Sequence, residues 1–272
     1  MRRSTIKAVG LPVAALLLTA CGSSTESPGA LAPSTPGTPG SSSARSESLA
    51  GTVNVFAAAS LKETFTKLGT QFEADHPGTR VVFSFGPSSG LATQITSGAP
   101  ADVFASASAT NMDQVVKAGG ASGPATFARN VMEIAVPAAN PAGITSLGDL
   151  ARTGVKVALC QPAVPCGTVA AKVFTNARIT VTPVSQEVDV KGVLTKVSLG
   201  EVDGGVVYVT DVKTAGDKVR GIGIPADLNA STSYPIAALT RAGNAAGAKA
   251  FTDYVLSSAG ASVMAEGGFA RP

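Results

Sequence analysis

The fold is indicated by the stretch VNVFAAASLKETFTKLGTQF, which occupies residues 53–72. Its first six residues form an apolar run with the length and composition of a buried β-strand. Apolar residues then recur three or four positions apart, as they do along the buried face of an α-helix. We therefore predict a strand at 53–58 that leads directly into a helix. The residues on the predicted helix face are Leu61, Phe65, Leu68 and Phe72.

Ser60 lies at the junction between this strand and this helix. Ser60 and Glu63 have the three-residue spacing of a capping box, in which each side chain accepts a hydrogen bond from the backbone N–H of the other residue. We predict that Ser60 is the N-cap of the helix.

The same alternation of strands and helices continues to the end of the chain. It is typical of an α/β fold with mostly parallel sheets flanked by helices. About 220 residues are predicted to be ordered, which favours two lobes over one. We predict lobe I at 51–134 plus 235–272, and lobe II at 135–234. Further strands are predicted at 80–85, 102–105, 131–136, 155–159, 205–209, 219–224 and 235–239, and further helices at 91–97, 111–118, 168–177, 190–199 and 245–257.

The N-terminal residues have the pattern of an export signal. Two arginines precede an apolar stretch that is too short to span a membrane. The sequence Leu18-Thr-Ala-Cys21 resembles the lipobox of bacterial lipoproteins, which are cleaved before a lipidated cysteine. We predict a signal peptide at 1–20, a lipidated Cys21 and a flexible tether at 21–50 that is rich in Ser, Pro and Gly. The alternative is an ordinary signal peptide with a chance cysteine at its end.

The distribution of charge argues against a nucleic-acid partner. The formal net charge of +3 comes from Arg2, Arg3 and Lys7, and the rest of the chain has equal numbers of basic and acidic residues. Without a basic patch, the chain cannot hold a phosphate backbone. One His and three Cys are too few ligands for most zinc or iron sites. Asp102 and Asp211 are isolated carboxylates, better suited to capping or to bonding with backbone than to binding a metal.

Two cysteines remain for the folded body, in the sequence Cys160-Gln-Pro-Ala-Val-Pro-Cys166. An exported protein meets an oxidising compartment, and a loop this short can bring the two Cα atoms within bridging range. We predict that Cys160 and Cys166 form a disulfide. The alternative is a pair of buried free thiols.

Four strand-to-helix junctions are candidate anion-binding positions. A helix N-terminus exposes N–H groups and a partial positive charge, so it favours anions without any Lys or Arg. In α/β sheets, helix N-termini gather at the carboxyl ends of the strands. For any single serine at such a junction, the alternative is that it only caps its own helix. The sequence alone does not show that the four junctions lie close together in the fold. The junctions are Ala59-Ser60, Ser88-Ser89, Cys166-Gly167 and Asp189-Val190.

One motif suggests an enzyme. The segment Gly86-Pro-Ser-Ser-Gly90 matches the G-x-S-x-G pattern of a hydrolase nucleophile elbow. Such a hydrolase needs a His after its nucleophile, but the single His of this chain, His76, precedes Ser88. We therefore predict that the protein is not an enzyme, and keep a serine hydrolase that uses Ser88 as an alternative.

Six blocks of sequence follow one another from the first strand to Tyr208, which ends a predicted strand. Together they resemble the molybdate-binding proteins of bacterial ABC importers, which are type II extracytoplasmic solute-binding proteins. The resemblance covers essentially all of 52–272. The blocks are FAAASL (56–61), FGPSSGLATQI (85–95), GAPADVFASA (98–107), VPCG (164–167), EVDVKGVL (187–194) and GVVY (205–208).

The resemblance implies a two-lobed fold that closes on one tetrahedral oxyanion in the cleft between the lobes. It also implies that neutral donors hold the anion, namely serine hydroxyls, backbone N–H groups and a tyrosine hydroxyl. Many family members have Ala where this chain has Cys166, a change that a backbone contact tolerates. Pro87 replaces a residue that is often Ser or Gly, which leaves open whether Ser88 or Ser89 supplies the hydroxyl. The residues that match the family's binding set are Ser60, Ser88, Cys166, Val190 and Tyr208.

The residues and the resemblance together predict a lipoprotein that captures molybdate, and tungstate as well, and delivers it to an ABC permease. We expect a monomer without a cofactor on the outer face of the cytoplasmic membrane, attached only through its lipid anchor. The alternatives are a sulfate or phosphate receptor of the same fold, the serine hydrolase that uses Ser88, and an adhesion-like surface lipoprotein. For Tyr208, the alternative is an ordinary core aromatic.

Overall fold

The computed structural model describes residues 49–272. The predicted signal peptide, the lipidation of Cys21 and the predicted tether up to residue 48 lie outside the described residues and stay predictions. Within the described part of the chain, no helix combines the length and the apolar character that crossing a membrane requires.

Strands and helices alternate along most of the described chain. The strands are β1 (Gly51–Ala58), β2 (Thr79–Gly86), β3 (Val103–Ala105), β4 (Ala125–Pro137), β5 (Val157–Cys160), β6 (Ser185–Glu187), β7 (Gly204–Tyr208), β8 (Val219–Gly223) and β9 (Ser231–Ala238). The helices are α1 (Lys62–Asp75), α2 (Ser88–Thr96), α3 (Ala109–Lys117), α4 (Pro165–Ala177), α5 (Val190–Ser198), α6 (Val209–Ala215), α7 (Ala245–Leu256) and α8 (Ser258–Glu266).

The strands form a mixed sheet in the order β2-β1-β3-β9-β4-β7-β5-β6, with β8 also paired to β4. The pairs β1–β2, β1–β3, β5–β6 and β5–β7 are parallel, as expected for strands that are separated by helices. All pairs that involve β4 or β9 are antiparallel. The α/β class is therefore confirmed, and the antiparallel strands β4 and β9 lie between two parallel groups.

Strand β4 connects these two parallel groups. Its residues up to Val131 pair with β9, and its residues from Met132 onwards pair with β7 and β8. The buried apolar residues are distributed in the same way. One core cluster contains only residues between 132 and 224, and the other two contain only residues at 53–128 and 234–269.

The helix after β1 buries the face that its sequence predicted. Leu61, Phe65, Leu68 and Phe72 are fully buried, and the ring of Phe65 packs against aromatic rings from β2, β4 and α7. Burial of four large apolar side chains is the main stabilising contribution of this helix, at about 1.5–3 kcal/mol each.

The predicted capping box is wrong. A 3-10 turn at Ala59–Leu61 precedes α1, and the N-cap of α1 is Leu61, without a side-chain cap. The hydroxyl of Ser60 is hydrogen-bonded to that of Tyr234, with 2.9 Å between the oxygens, and Glu63 accepts a hydrogen bond from Lys191. Long-range partners have therefore replaced the local bonds that the spacing predicted.

Several helices begin at residues other than those predicted from the sequence. Helix α2 begins at Ser88 rather than Leu91, and α4 begins at Pro165 rather than Thr168. A proline in the first helical position is favourable, because its missing N–H would have had no partner inside the helix. The sequence did not predict β6, α6 or α8 as elements. Strand β6 and helix α6 are short, and α8 follows α7 almost directly.

Candidate functional site

A small cavity of about 20 Å³ lies where several strands end. The five predicted site residues all line it. Ser60 follows β1, Ser88 follows β2, Cys166 and Val190 lie in the first turns of α4 and α5, and Tyr208 ends β7. The structure therefore brings together junctions that are up to 148 residues apart, at the carboxyl ends of parallel strands where α/β proteins bind ligands. The other lining residues are Ala58, Ala59, Gly86, Pro87, Ala107, Val164, Pro165 and Asp189.

Ser88, rather than Ser89, contributes to the cavity. Ser88 is 1% exposed and lines the cavity, whereas Ser89 is half-buried and is not a lining residue. The backbone N–H of Ala107 donates a hydrogen bond to the Ser88 oxygen at 3.0 Å. Because an N–H group can only donate, the Ser88 hydroxyl keeps its own hydrogen for another acceptor.

The N-termini of three helices point donors toward the same space. In α2 the first helical bond runs from the N–H of Leu91 to the carbonyl of Pro87, and in α4 from Thr168 to Val164. The N–H groups before these positions have no acceptor inside their helices. In α5 the carboxylate of Asp189 accepts a hydrogen bond from the backbone N–H of Gly192. This bond caps Gly192 and not the backbone N–H of Val190. The cavity thus gains partial positive charge from backbone alone.

Cys166 is held by two features of the α4 N-terminus. Cys160 and Cys166 form a disulfide with a Cα–Cα distance of 5.8 Å. The adjacent Gly167 lies so close to the carbonyl of Gln161 that a Cβ atom at this position would overlap it. Only glycine fits there without a shift of the backbone, so the first turn of α4 is pressed directly against the end of β5.

Tyr208 has a buried hydroxyl that makes no hydrogen bond of ordinary geometry among the described residues, although the side chain of Tyr234 is close enough to affect its pKa. Its side chain is 1% exposed and lines the cavity. Burial raises the pKa of Tyr208 well above its ordinary value, and the nearby Tyr234 and Asp211 raise it further. The hydroxyl therefore keeps its proton at physiological pH and is a donor. A buried hydroxyl without a partner is energetically costly, so it points to a ligand that accepts its hydrogen bond.

Among the described residues, no Lys or Arg lines the cavity. Asp189 is the one charged residue among those that line the cavity, and a group of charged side chains begins with Lys191, one residue after Val190. Lys191 Nζ lies 2.8 Å from Glu63 Oε2 and 3.0 Å from Asp211 Oδ1. Burial alone would lower the pKa of Lys191, but Asp211 and Glu63 outweigh it and raise the pKa. We call Glu63, Lys191 and Asp211 the ion cluster.

Asp211 is the fully buried member of the ion cluster. Burial raises its pKa from 3.8 to about 6, although Lys191 and the backbone N–H of Tyr208 act in the opposite direction. That N–H donates to Asp211 Oδ2 at 3.1 Å. The ion cluster is thereby connected to the backbone of a cavity residue, while none of its own three side chains lines the cavity.

Sequence reasoning missed Tyr234, which does not line the cavity but contacts a residue that does. Tyr234 is fully buried on β9, and its hydroxyl contacts that of Ser60. No motif singled it out, because the two residues are 174 positions apart in sequence. A tyrosine in an apolar strand has the ordinary pattern of a core aromatic.

The remaining sequence candidates have structural roles. The ring of His76 packs on Phe72, and His76 does not line the cavity that contains Ser88. The carboxylate of Asp102 accepts hydrogen bonds from the backbone N–H groups of Asn54 and Asn244. Within the described chain, no three His, Cys, Asp or Glu side chains are grouped so that they could hold a metal ion.

Comparison with known proteins gives the family. The sequence profile described as "Bacterial extracellular solute-binding protein" matches residues 53–270. The chain belongs to this family. Within this solute-binding family, the molybdate-binding protein ModA of Mycobacterium tuberculosis H37Rv is 44% identical over 235 residues, which are 86% of this chain and 90% of the relative. The family resemblance inferred from the six sequence blocks is confirmed.

Solved structures of solute-binding proteins show the same fold. The periplasmic molybdate-binding protein of Azotobacter vinelandii has a TM-score of 0.70 at 22% identity, over 81% of this chain and 99% of that one. The sulfate-binding protein SubI of Mycobacterium tuberculosis H37Rv also has a TM-score of 0.70, at 20% identity, over 80% of this chain and 86% of that one. Because both anion-binding proteins match equally well, the fold alone does not distinguish between the anions.

As a member of the extracellular solute-binding protein family, the chain is an extracytoplasmic binding protein and not an enzyme, as the sequence predicted. The Ser88 hydrolase alternative loses its remaining support, because the oxygen of Ser88 accepts from a backbone N–H instead of bonding to a His.

Proposed function

We propose that the protein binds molybdate, and tungstate as well, in the cavity between β1, β2, β7 and the N-termini of α4 and α5. The observation that carries this proposal is the hydroxyl of Tyr208, which is buried beside the cavity and has no hydrogen-bond partner among the described residues. The 44% identity to a molybdate-binding ModA supports the choice of anion.

The donors suit a tetrahedral oxyanion with four acceptor oxygens. The hydroxyls of Ser60, Ser88 and Tyr208 each carry one hydrogen, and the first turns of α4 and α5 offer the backbone N–H groups of Cys166 and Val190. These are neutral groups, so the anion is stabilised by hydrogen bonds and by the partial positive charge of the helix N-termini.

Selectivity against sulfate follows from the fixed positions of these donors. Molybdate and sulfate have the same shape and charge at neutral pH, but molybdate is larger. A sulfate ion cannot reach all of the fixed donors at once, and each buried donor left without a partner costs about 1–3 kcal/mol. A flexible Lys or Arg would follow either anion and would reduce the discrimination.

Capture and delivery follow from a two-lobed body. We assign lobe I to 51–134 plus 235–272 and lobe II to 135–234, since the buried cores separate close to these boundaries. Ser60 and Ser88 belong to lobe I, and the other three donors belong to lobe II, so closure of the lobes completes the anion site. A lipid on Cys21 and the tether keep this monomeric body at the outer face of the cytoplasmic membrane, where it delivers the anion to an ABC permease.

The test is a thermal unfolding series on the chain without residues 1–20 and with Cys21→Ser, in molybdate, tungstate, sulfate or phosphate. An anion at a thousand times its dissociation constant stabilises the folded state by about 4 kcal/mol. We expect this shift with molybdate and tungstate and a much smaller one with sulfate and phosphate. An equal shift with sulfate would show a less selective receptor. No shift with any anion would favour the adhesion-like lipoprotein.

A further inference from the structure

Tyr234 is placed to control the direction of a hydrogen bond in the cavity wall. It is fully buried on β9 and does not line the cavity. Its ring is held on three sides by edge-to-face contacts with Phe127, Tyr208 and Phe269, at centroid distances of 6.2, 6.3 and 5.2 Å. The position of its hydroxyl is therefore set by packing, and that hydroxyl lies 2.9 Å from the oxygen of Ser60.

The hydrogen bond between these two hydroxyls has two possible directions. Each group has one hydrogen and can donate or accept. If Ser60 donates to Tyr234, its only hydrogen is unavailable to a ligand. If Tyr234 donates to Ser60, the Ser60 hydrogen can point into the cavity. A phenol is far more acidic than an aliphatic alcohol, so it is the better donor and the poorer acceptor, which favours the second arrangement.

Ser88, the second serine of the cavity, also accepts a hydrogen bond from inside the protein, but its partner is a backbone group. The oxygen of Ser88 accepts from the backbone N–H of Ala107, a group that can only donate. Both serines then accept a hydrogen bond from inside the protein and keep a hydrogen for the cavity.

We propose that Tyr234 is a positioning residue for anion binding, which donates to Ser60 and thereby directs the Ser60 hydrogen toward the oxyanion. This inference rests on the proposed function, in which Ser60 donates to the bound anion. The tyrosine acts through Ser60 and makes no contact with the anion itself. In its absence the Ser60 hydroxyl rotates among about three staggered positions, and binding must select one of them.

The test is a double-mutant cycle with Tyr234→Phe, Ser60→Ala and the double variant, measured by calorimetric titration with molybdate. Tyr234→Phe keeps the ring and its packing and removes only the hydroxyl. We expect Tyr234→Phe to weaken binding about three- to tenfold, from the lost orientation and polarisation of the Ser60 hydroxyl. We expect Ser60→Ala to weaken it about ten- to a hundredfold.

The decisive result is the effect of Tyr234→Phe in the Ser60→Ala background. A positioning residue has no further effect once Ser60 has lost its hydroxyl, so the two changes are non-additive. A structural role would weaken binding by the same factor in both backgrounds and would overturn the inference. The matched control is Tyr254→Phe on α7, a half-buried tyrosine that does not line the cavity, for which we expect wild-type affinity.

The cycle also separates this inference from the proposed function. If Ser60→Ala binds molybdate weakly and Tyr234→Phe binds it as the wild type does, the positioning role is wrong and the anion site stands. If Ser60→Ala binds with wild-type affinity, Ser60 is not a donor and both proposals about this residue fail. Urea unfolding of each variant verifies that affinities are compared between folded proteins.

Discussion

The cavity and the ion cluster lie side by side and handle charge in opposite ways. Both use helix α5. The backbone of Val190 faces the cavity, while the side chain of the next residue, Lys191, pairs with Glu63 and Asp211. The hydrogen-bond donors of the cavity are neutral groups, and the ion cluster contains the cationic side chain. In the proposed site the anion is therefore bound without a formal positive charge, although a lysine is within one residue of the site.

We expect mutations in the ion cluster and mutations in the cavity to have different consequences. Changes in the ion cluster should alter stability and leave affinity nearly unchanged, because none of its side chains lines the cavity. A change at Tyr208 in the cavity should alter affinity and leave stability unchanged or improved, because its hydroxyl has no hydrogen-bond partner among the described residues of the free protein.

The largest expected effect is the loss of stability in Lys191→Met. Removing this cation leaves the buried carboxylate of Asp211 without its ion partner, which costs about 3 kcal/mol in the free energy of unfolding. Urea unfolding measures this loss, and calorimetry should show a molybdate affinity within about threefold of the wild type.

The matched control for this prediction is Lys62→Met. Lys62 is an exposed lysine on α1, close to Glu63, and its replacement should change stability by less than about 0.5 kcal/mol. A normal stability of Lys191→Met together with a large loss of affinity would break the comparison, since Lys191 would then be a binding residue.

The second prediction concerns Tyr208→Phe, for which we expect binding about ten- to a hundredfold weaker than in the wild type. The hydroxyl is fully buried rather than at the edge of the cleft, so its loss should cost as much as that of a serine hydroxyl. The free protein should be as stable as the wild type or more so, because the variant no longer buries a hydroxyl without a partner. Calorimetry and urea unfolding on the same samples provide the measurement. Lower stability with unchanged affinity would make Tyr208 an ordinary core aromatic.

The third prediction uses the pKa of Asp211, which burial raises from 3.8 to about 6 in the folded protein. Between these values the folded state holds a proton that the unfolded state has released. The contribution of Asp211 to stability is therefore greatest below about pH 4 and falls as the pH rises to about 6 and beyond. We expect this fall to be about 1–3 kcal/mol.

The contribution of Asp211 is isolated by comparing the wild type with Asp211→Asn. Asn does not titrate, and all other carboxylates are present in both proteins. Lys191 and Glu63 are the charged groups that face Asp211 in the ion cluster, and both remain in the variant. Urea unfolding of both proteins between about pH 4 and pH 7 is the measurement. A constant difference in stability across this range would mean that Asp211 is ionised throughout.

The smallest expected effect is that of reducing the Cys160–Cys166 disulfide. The loop that it closes is short, so its contribution through chain entropy is about 2 kcal/mol or less. We expect a modest decrease in the melting temperature and nearly normal molybdate binding, because the contact of Gly167 with Gln161 still holds the first turn of α4. The double variant Cys160→Ser/Cys166→Ser is the control for side effects of the reductant. Loss of binding on reduction would show that the disulfide, rather than this packing, positions the donor of Cys166.

Local patterns predicted the elements better than they predicted the partners of individual side chains. The buried face of α1 and the existence of helices after β1, β2 and β5 could be recognised because spacing and small residues act within a few positions, although α2 and α4 begin three residues before the predicted starts. The capping role of Ser60 was wrong because its partner, Tyr234, comes from a distant strand. The unpartnered hydroxyl of Tyr208 and the ion pairs of Lys191 depend on the packing of several elements, which a single sequence does not specify.

Strand β4 has a mechanical consequence for the proposed capture cycle. One continuous strand passes from one half of the sheet to the other, and it changes partners between Val131 and Met132. Near this point the side chain of Asn130 donates to Thr210, and Asn229 bonds to both backbone groups of Met132. Because the hydrogen-bonded strand continues through this point, we expect it to bend over a limited range instead of rotating freely as an unpaired loop does. We expect the released protein to return to one resting angle, ready for the next ion.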